Sequence, residues 1–303
     1  MLSHPLRPKE NFILVCEGPS DLQFLQGIWN NFAPEISVYH AGGHRNVRLL
    51  ADVLTPSVYI LDRDFSKTLS EAHTTLEPGN RFTLWPRQNI ECYLLYPDWL
   101  QATVEEIQRF RSRQPFGSPP STQEQIEQSI IKLAVSFIPD HAGRRTLNEL
   151  TSIIGPQNLF SAKADRNVLS DGANANDQQM WESYLVQETH RLREQGKNLT
   201  GEDELEDAAV IARYHNHIEQ YRTWTNNLDL IRNEFSGKRF FQALALKWGL
   251  RGTKTGKKPW EVLRDVTIEQ AVEYCEHISS QLTNDPRLGD FGQLAKKVTN
   301  REI

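Results

Sequence analysis

The chain has few cysteines, no long apolar run and little net charge, and each of these features excludes some classes of protein. Its three cysteines, Cys16, Cys92 and Cys275, lie far apart and form no CxxC pair. That spacing argues against a zinc ribbon or a disulfide scaffold and favours a reducing compartment. No apolar run approaches about 18 residues, so no membrane span is expected. The N-terminal segment lacks the apolar core of a signal peptide, and we therefore expect a cytoplasmic protein without membrane contact.

The composition fits a globular protein of moderate size. The 303 residues are 38% hydrophobic and 24% charged, with a net charge of −5. This length allows one large or two ordinary domains with a sizeable core. Since the overall charge does not attract polyanions, a nucleic-acid site would have to be a local basic patch or depend on metal ions.

The first hundred residues alternate between apolar β-rich runs and helical patterns. Strands are predicted at residues 12–16, 36–39, 58–61 and 82–85, with helices at 20–32, 45–54 and 67–74. Ser20 is predicted as the N-cap of the first helix, with Gln23 as its capping-box partner. Such alternation predicts a mostly parallel sheet covered by helices, a Rossmann-like α/β domain over residues 1–97.

After Pro97 the strand patterns nearly vanish. Helices are predicted at residues 99–113, 122–137, 146–154, 178–194, 202–235, 238–248 and 268–282. The sequence therefore predicts an α-helical domain over residues 98–303.

Two of the predicted strands end on carboxylates. Glu17 follows the first strand, Asp62 and Asp64 follow the third, and Asp21 lies one turn into the first helix. Ligands of open parallel sheets bind at the carboxyl ends of the strands, and the predicted order can place these two strands side by side. A single acid at a strand end is more often a helix cap or a solvated loop residue, so the hypothesis of a site depends on the pair.

Clustered carboxylates indicate a cation. Like charges that lie close together repel unless a cation neutralises them. Oxygen ligands, with positions left for water and phosphate, are typical of Mg²⁺, and Mn²⁺ is the alternative ion. The predicted metal ligands are therefore Glu17, Asp21, Asp62 and Asp64.

Several motifs in this region resemble the TOPRIM domain of topoisomerases, primases and OLD-family nucleases. "VCEGPSD" contains Glu17 and Asp21, and "ILDRD", some forty residues later, contains Asp62 and Asp64. "HAGGHRNVRLL" at residues 40–50 resembles the glycine turn of the OLD-like branch. "WPRQNIECYLL" at residues 85–95 resembles the closing segment of a TOPRIM family that includes the AriB effectors of PARIS anti-phage systems. The resemblance covers residues 10–97 and extends, less closely, to "FSGKRFFQALALKWG" at residues 235–249.

The resemblance implies a set of roles. Glu17 would be the TOPRIM glutamate, a general acid/base or metal-bridging group, and Asp62 and Asp64 would be the DxD ligands. Asp21 would match the second acid of the first motif, and Glu91 the acid of the closing segment. The implied function is a Mg²⁺-dependent endonuclease acting on DNA or RNA, tRNA included, in anti-phage defence. A separate ABC-type ATPase would hold it in check, and a homodimer is compatible with the sequence.

Two arginines are candidates for neutralising a phosphate. Arg63 lies between the two DxD acids, and Arg87 lies four residues before Glu91. If both Arg87 and Glu91 belong to one helix they share a face, so Glu91 would complete the metal site or hold Arg87 on the scissile phosphate. The ordinary alternative makes Glu91 a surface or cap residue.

A basic segment covers residues 235–264. It carries eight basic residues against one acid, Glu261, a net charge of +7. The candidate nucleic-acid contacts are Lys238, Arg251, Lys254, Lys257 and Lys258. Trp248 and Trp260 interleave with them, as stacking residues do in single-strand binders. A solvated basic loop explains the charge equally well.

Two other function classes stay open. The chain could be a non-catalytic TOPRIM-like module that binds a partner ATPase or nucleic acid. It could also be a small-molecule phosphotransferase, because "YILDRD" resembles the DxD of haloacid-dehalogenase phosphatases, although there the motif closes the first strand. His40 and His44 flank the glycine turn, and a turn role is favoured for them over a phosphate contact.

Overall fold

The computed structural model describes residues 12–43, 46, 47, 50, 58–63, 82–110, 119–154, 176–195, 205–252 and 256–299. The predicted helix at 67–74 and most of the one at 45–54 lie outside these residues, as do Asp64, His44 and Lys254. The chain divides into two compact units, the first formed by Met1–Ile126 and Ser236–Ile303, the second by Glu127–Phe235. Within the described ranges, no helix has the length and apolar character needed to cross a membrane.

A parallel sheet forms the centre of the first unit. Among the described residues its strands are β1 (Phe12–Cys16), β2 (Ile36–His40), β3 (Val58–Leu61) and β4 (Phe82–Leu84). They lie in the order β2-β1-β3-β4, and every neighbouring pair is parallel. The mixed α/β class with a parallel sheet is thus confirmed. So is the predicted adjacency of the first and third strands, since Leu14 pairs with Val58.

Helices make up most of the remaining described structure. They are α1 (Pro19–Phe32), α2 (Pro97–Phe110), α3 (Gln123–Ile154), α4 (Gln178–Gln195), α5 (Asp207–Trp224), α6 (Leu228–Glu234), α7 (Gly237–Lys247), α8 (Pro259–Ile278) and α9 (Gly289–Thr299). Two 3₁₀ segments occur at Ile90–Leu94 and Ser279–Asn284.

Several helix predictions are corrected by the structure. The predicted helices at 122–137 and 146–154 are parts of the single helix α3, which contains Pro139. The long helix predicted at 202–235 is broken at Asn227, whose side chain accepts hydrogen bonds from two backbone N–H groups of α6. Ser20 is not the N-cap of α1, because Gly18 holds that position and its N–H donates to the carboxylate of Asp21.

The division into units differs from the boundary predicted at residue 97, because the C-terminal helices bury apolar side chains within the first unit. Phe291 of α9 packs against Phe24 and Tyr93, with ring centroids 5.1 and 4.7 Å apart. The indole N–H of Trp29 donates to the Phe291 carbonyl at 3.2 Å. The helical region expected over 98–303 is therefore shared between the two units.

Candidate metal and nucleic-acid site

Glu17 and Asp62 meet at the carboxyl edge of the sheet. Oε1 of Glu17 accepts a hydrogen bond from the backbone N–H of Asp62 at 2.9 Å. In the sheet, β2 lies on one side of β1, whereas β3 and β4 lie on its other side. The winding direction thus reverses between β1 and β3, and open α/β sheets bind ligands at such a switch point.

The glycine turn after β2 is fixed to this same edge. The N–H of Gly43 donates to the Glu17 carbonyl at 2.8 Å, and the N–H of Ala41 donates to the Cys16 carbonyl at 2.9 Å. Gly42 and Gly43 have φ angles of +80° and +137°, a backbone region that side chains with a Cβ rarely adopt. The glycines therefore let the turn approach the end of β1, which supports the turn role favoured for this segment.

Asp21 is a buried carboxyl beside other carboxylates. It is 5% exposed, and its Oδ2 accepts the hydrogen bond from Gly18 N–H at 2.9 Å. Burial, followed by the negative charges of Glu91 and Glu17, raises the pKa of Asp21 to about 7, against the opposing effects of Gly18 N–H and Arg264. The charges of Glu17, from the same segment, and of Glu91, from a separate one, therefore both act on the Asp21 carboxyl.

The position of Glu91 is fixed by the first residue of α7, Gly237, which packs on the backbone of Glu91 and Cys92. A Cβ at Gly237 would lie 2.3 Å from the backbone nitrogen of Cys92, so this close approach requires glycine. The Gly237 N–H donates to the Cys92 sulfur, and the Asn89 side-chain amide donates to the Ser236 hydroxyl, both at 3.2 Å. The "NIECYL" and "FSGK" motifs thus pack on each other, and Glu91 is held 5% exposed.

Arg264 is a residue of this site to which the sequence assigned no individual role. Its Nη1 lies 3.7 Å from Oε1 of Glu91, and its Nη2 donates to Oδ1 of Asp265 at 2.8 Å. The sequence predicts a helix that begins only at residue 268, which leaves Arg264 in a basic loop, but the helix α8 begins at Pro259. Pro259, a favoured first-turn residue, was the available signal that α8 begins earlier.

The two arginines proposed for phosphate contact are both buried. Arg87 is 7% exposed. Its guanidinium lies 4.3 Å from the ring centroid of Tyr93 and donates to the Tyr96 hydroxyl at 3.2 Å. The helical face expected to carry both Arg87 and Glu91 is not formed, because the segment is a 3₁₀ helix that begins only at Ile90. Arg63 follows Asp62 and is fully buried.

The basic segment exposes most of its candidate cations. Four of the five candidate nucleic-acid contacts are exposed, and they are Lys238, Arg251, Lys257 and Lys258. Lys238 Nζ and Arg264 Cζ lie 5.7 and 5.2 Å from the ring centroid of Trp260. The stacking role expected for Trp248 is wrong, because that side chain is 1% exposed in the core. Nucleic-acid contact by the basic residues stays a prediction.

The donor chemistry suits a hard cation. The groups that converge are carboxylate oxygens, which Mg²⁺ prefers, and the nearby thiol of Cys16 is kept neutral because burial raises its pKa. Among the described residues, no group of three or more His, Cys, Asp and Glu side chains is arranged to hold a metal ion. Asp64, the other DxD acid, lies outside the described residues, so the four-acid ligand set stays a prediction.

Comparison of the chain with protein-family models, with curated proteins and with solved structures found no match. Its function has to be inferred from the motifs and from the geometry of the site.

Proposed function

We propose that this protein is a Mg²⁺-dependent nuclease of the TOPRIM type that hydrolyses phosphodiester bonds in DNA or RNA. The observation that carries the proposal is the pairing of Glu17 with the Asp62 backbone at 2.9 Å, at the switch point of a parallel sheet. Asp21 and Glu91 add buried negative charge beside this pair. Carboxylates gathered in this way, against their mutual repulsion, are a feature of functional sites.

The proposed roles follow from the positions of the side chains. Glu17, Asp62 and Asp64 would hold the ion, with Asp21 beside them. Mg²⁺ bound there would activate a water molecule and neutralise charge on the phosphate. Asp21, with a pKa of about 7, can give or take a proton near neutral pH. Glu91 raises that pKa and so adjusts the proton affinity of Asp21.

Nucleic acid is the favoured substrate because cations and carboxylates occur in the same unit. The net charge of the chain is −5, yet the basic segment is strongly positive. Its exposed lysines, Lys238, Lys257 and Lys258, belong to the unit that contains Glu17 and Asp62. A local cationic surface in the same unit as the proposed metal site suits a polyanion that must be bound and then cleaved.

The biological setting is inferred from the resemblance alone. An OLD-like TOPRIM nuclease of the AriB type would be a cytoplasmic effector of anti-phage defence, and its partner would be an ABC-type ATPase that restrains it. In this proposal residues 1–97 form the TOPRIM domain, and the helices that follow carry the basic segment.

A non-catalytic binding module is the second candidate. It is favoured by one observation: Asp21 and Glu17 both accept backbone hydrogen bonds, from Gly18 and Asp62. Structural roles of this kind could account for these two acids without any chemistry. They account for Glu91 only in part, because it lies 3.7 Å from Arg264 but also raises the pKa of Asp21, an effect that a structural ion pair does not require.

A cleavage assay tests the proposal. The protein is incubated with plasmid, single-stranded DNA and total RNA in Mg²⁺, Mn²⁺ or EDTA, beside the variants Glu17→Gln and Glu35→Gln. We expect cleavage of at least one substrate with either metal, none in EDTA, and none by Glu17→Gln. Glu35 is an exposed acid of the same unit, and its variant should retain full activity. Binding without cleavage under every condition would favour the non-catalytic module, and cleavage by Glu17→Gln at the parental rate would refute the assigned site.

A further inference from the structure

Four side chains of alternating charge lead from the surface to the buried carboxylates. Lys257 Nζ donates to Oδ2 of Asp265 at 2.7 Å, and Arg264 Nη2 donates to Oδ1 of the same carboxylate at 2.8 Å. Arg264 Nη1 lies 3.7 Å from Oε1 of Glu91. The exposed fraction of the side chain is 56% at Lys257, 12% at Asp265, 15% at Arg264 and 7% at Glu91, so only the outer end is open to solvent. We call these four residues the charge chain.

The two ends of the charge chain face different ligands. Lys257 adjoins Lys258 in the exposed basic segment, where phosphates would bind under the proposed function. Glu91 is near enough to Asp21 for its negative charge to raise the pKa of that carboxyl. Asp265 and Arg264 contact neither ligand, so any influence they have must pass through the side chains that they hold.

A phosphate that competes with Asp265 for Lys257 changes how strongly Arg264 neutralises Glu91. A phosphate that binds the Lys257 ammonium weakens its ion pair with Asp265. The Asp265 carboxylate then attracts Arg264 more strongly, and Arg264 neutralises Glu91 less. Because these inner side chains are mostly shielded from water, their interactions are less screened than those of surface pairs. Glu17, Asp21 and Asp62 at the carboxyl ends of the strands, which we call the carboxylate edge, consequently attract a cation more strongly.

We propose that the charge chain couples phosphate binding at Lys257 to divalent-cation binding at the carboxylate edge, with Asp265 and Arg264 as positioning residues. This inference rests on the proposed function, and it adds a regulation: the metal binds more tightly when a nucleic-acid strand is present. Coupling between two ligands is reciprocal, so the metal strengthens strand binding by the same factor.

The test measures Mn²⁺ binding to the whole protein by calorimetry, with and without a short single strand of 2′-O-methyl phosphorothioate nucleotides that resists hydrolysis. In the parent protein we expect the strand to tighten Mn²⁺ binding about fivefold, within the usual range of coupling between sites. Lys257→Met keeps the apolar stem at an exposed position and removes the charge, and the effect should fall below about twofold. Asp265→Asn, which removes a charge within the charge chain, should reduce the effect of the strand on Mn²⁺ binding to the same extent.

Glu273→Gln is the matched control, because Glu273 is an exposed carboxylate on the same helix as Asp265. It should keep the parental effect. The strand's own charge acts on the metal in all variants alike, so a difference between variants measures the charge chain. If strand and metal both bind but Lys257→Met and Asp265→Asn keep the parental effect, the coupling is refuted and the proposed function stands. If the parent binds neither ligand, the proposed function fails and the coupling fails with it.

Discussion

The buried carboxylates of the helical unit and those of the candidate site in the sheet unit have opposite surroundings. In the helical unit, Asp140 is fully buried and both of its oxygens accept from Nε of Arg144, one turn further along α3, at 3.1 Å. Glu188 is paired in the same manner with Arg191, three residues away, at 2.9 Å. In the sheet unit the carboxylates of the candidate site lie beside one another. Their described cation, Arg264, comes from a distant part of the sequence.

The pKa shifts show the same contrast. Burial alone would raise the pKa of Glu149 in the helical unit, but the hydrogen bond and charge of His217 lower it overall. The pKa of Asp21 in the sheet unit is raised to about 7 by burial and by neighbouring acids. A pair of opposite charges stabilises a fold without further partners, whereas neighbouring like charges oppose folding and indicate a site that a ligand completes.

The largest expected difference concerns Asp62 and Asp140. Asp62→Asn should lower metal-dependent cleavage by roughly 100-fold or more, because an amide cannot supply the charge that the cation needs. Asp140→Asn should leave cleavage intact at temperatures where the protein is folded. It should lower the free energy of unfolding by about 3 kcal/mol, since it breaks a buried ion pair. Cleavage rates and urea unfolding curves of both variants check the contrast, which collapses if the two variants behave alike.

Glu91 and Glu188 give a second, smaller contrast. Glu91→Gln should remove most of the activity, about tenfold or more for a group that assists proton transfer. Its melting temperature should change little, because the loss of the Arg264 contact is offset by relief of repulsion with Asp21. Glu188→Gln, equally buried at 5% exposure, should lower the melting temperature and leave cleavage unchanged. An active Glu91→Gln would make Glu91 a structural acid like Glu188.

The sequence predicted the sheet well for a physical reason. Parallel strands are buried on both faces and are therefore continuous apolar runs, which located β1 and β3 to the residue. The acids that end these runs then indicated the site, because strand ends of a parallel sheet share an edge. These features are local, and a single sequence contains them in full.

The rest of the site depends on contacts between distant segments. No spacing in the sequence indicates that Gly237 packs on Cys92, or that Arg264 reaches Glu91. Helix α9 was not predicted, because Gly289 and Gly292 lower its helix propensity. In the structure a Cβ at Gly292 would lie 2.7 Å from the backbone nitrogen of Thr283. Close packing therefore requires glycine at this position, although glycine has a low helix propensity and argues against a helix when only the local sequence is considered.

The pH dependence of stability sharpens the comparison at Asp21. The pKa of this carboxyl is about 7 in the folded protein, against an ordinary value of 3.8, so between these values the folded state keeps a proton that the unfolded chain has lost. Stability should therefore fall as the pH rises from about 4 to about 7 and change no further above that. Asp21→Asn removes this dependence and can still accept the Gly18 hydrogen bond.

We expect Asp21→Asn, in EDTA, to melt several degrees above the parent at about pH 8 and close to it at about pH 4. Thermal melts across this range measure the difference. Glu35→Gln serves as the control, and its curve should run parallel to the parental one. A constant offset between Asp21→Asn and parent at every pH would mean that Asp21 titrates normally.

The smallest effect is expected on the basic segment. Changing Lys254, Lys257 and Lys258 to Ala should weaken binding of a single strand at low salt. It should also lower the magnitude of the slope of log affinity against log salt by about 2 to 3, because fewer counterions are released on binding when phosphate contacts are lost. The part contributed by Lys257 should be the smaller one, because that ammonium already pairs with Asp265 at 2.7 Å. The control changes Lys296 and Lys297, which lie in the last turn of α9, and should leave the slope as it is. Equal slopes for the triple variant and the parent would make the segment ordinary solvated surface, and strand binding would then have to be sought on another face of the sheet unit.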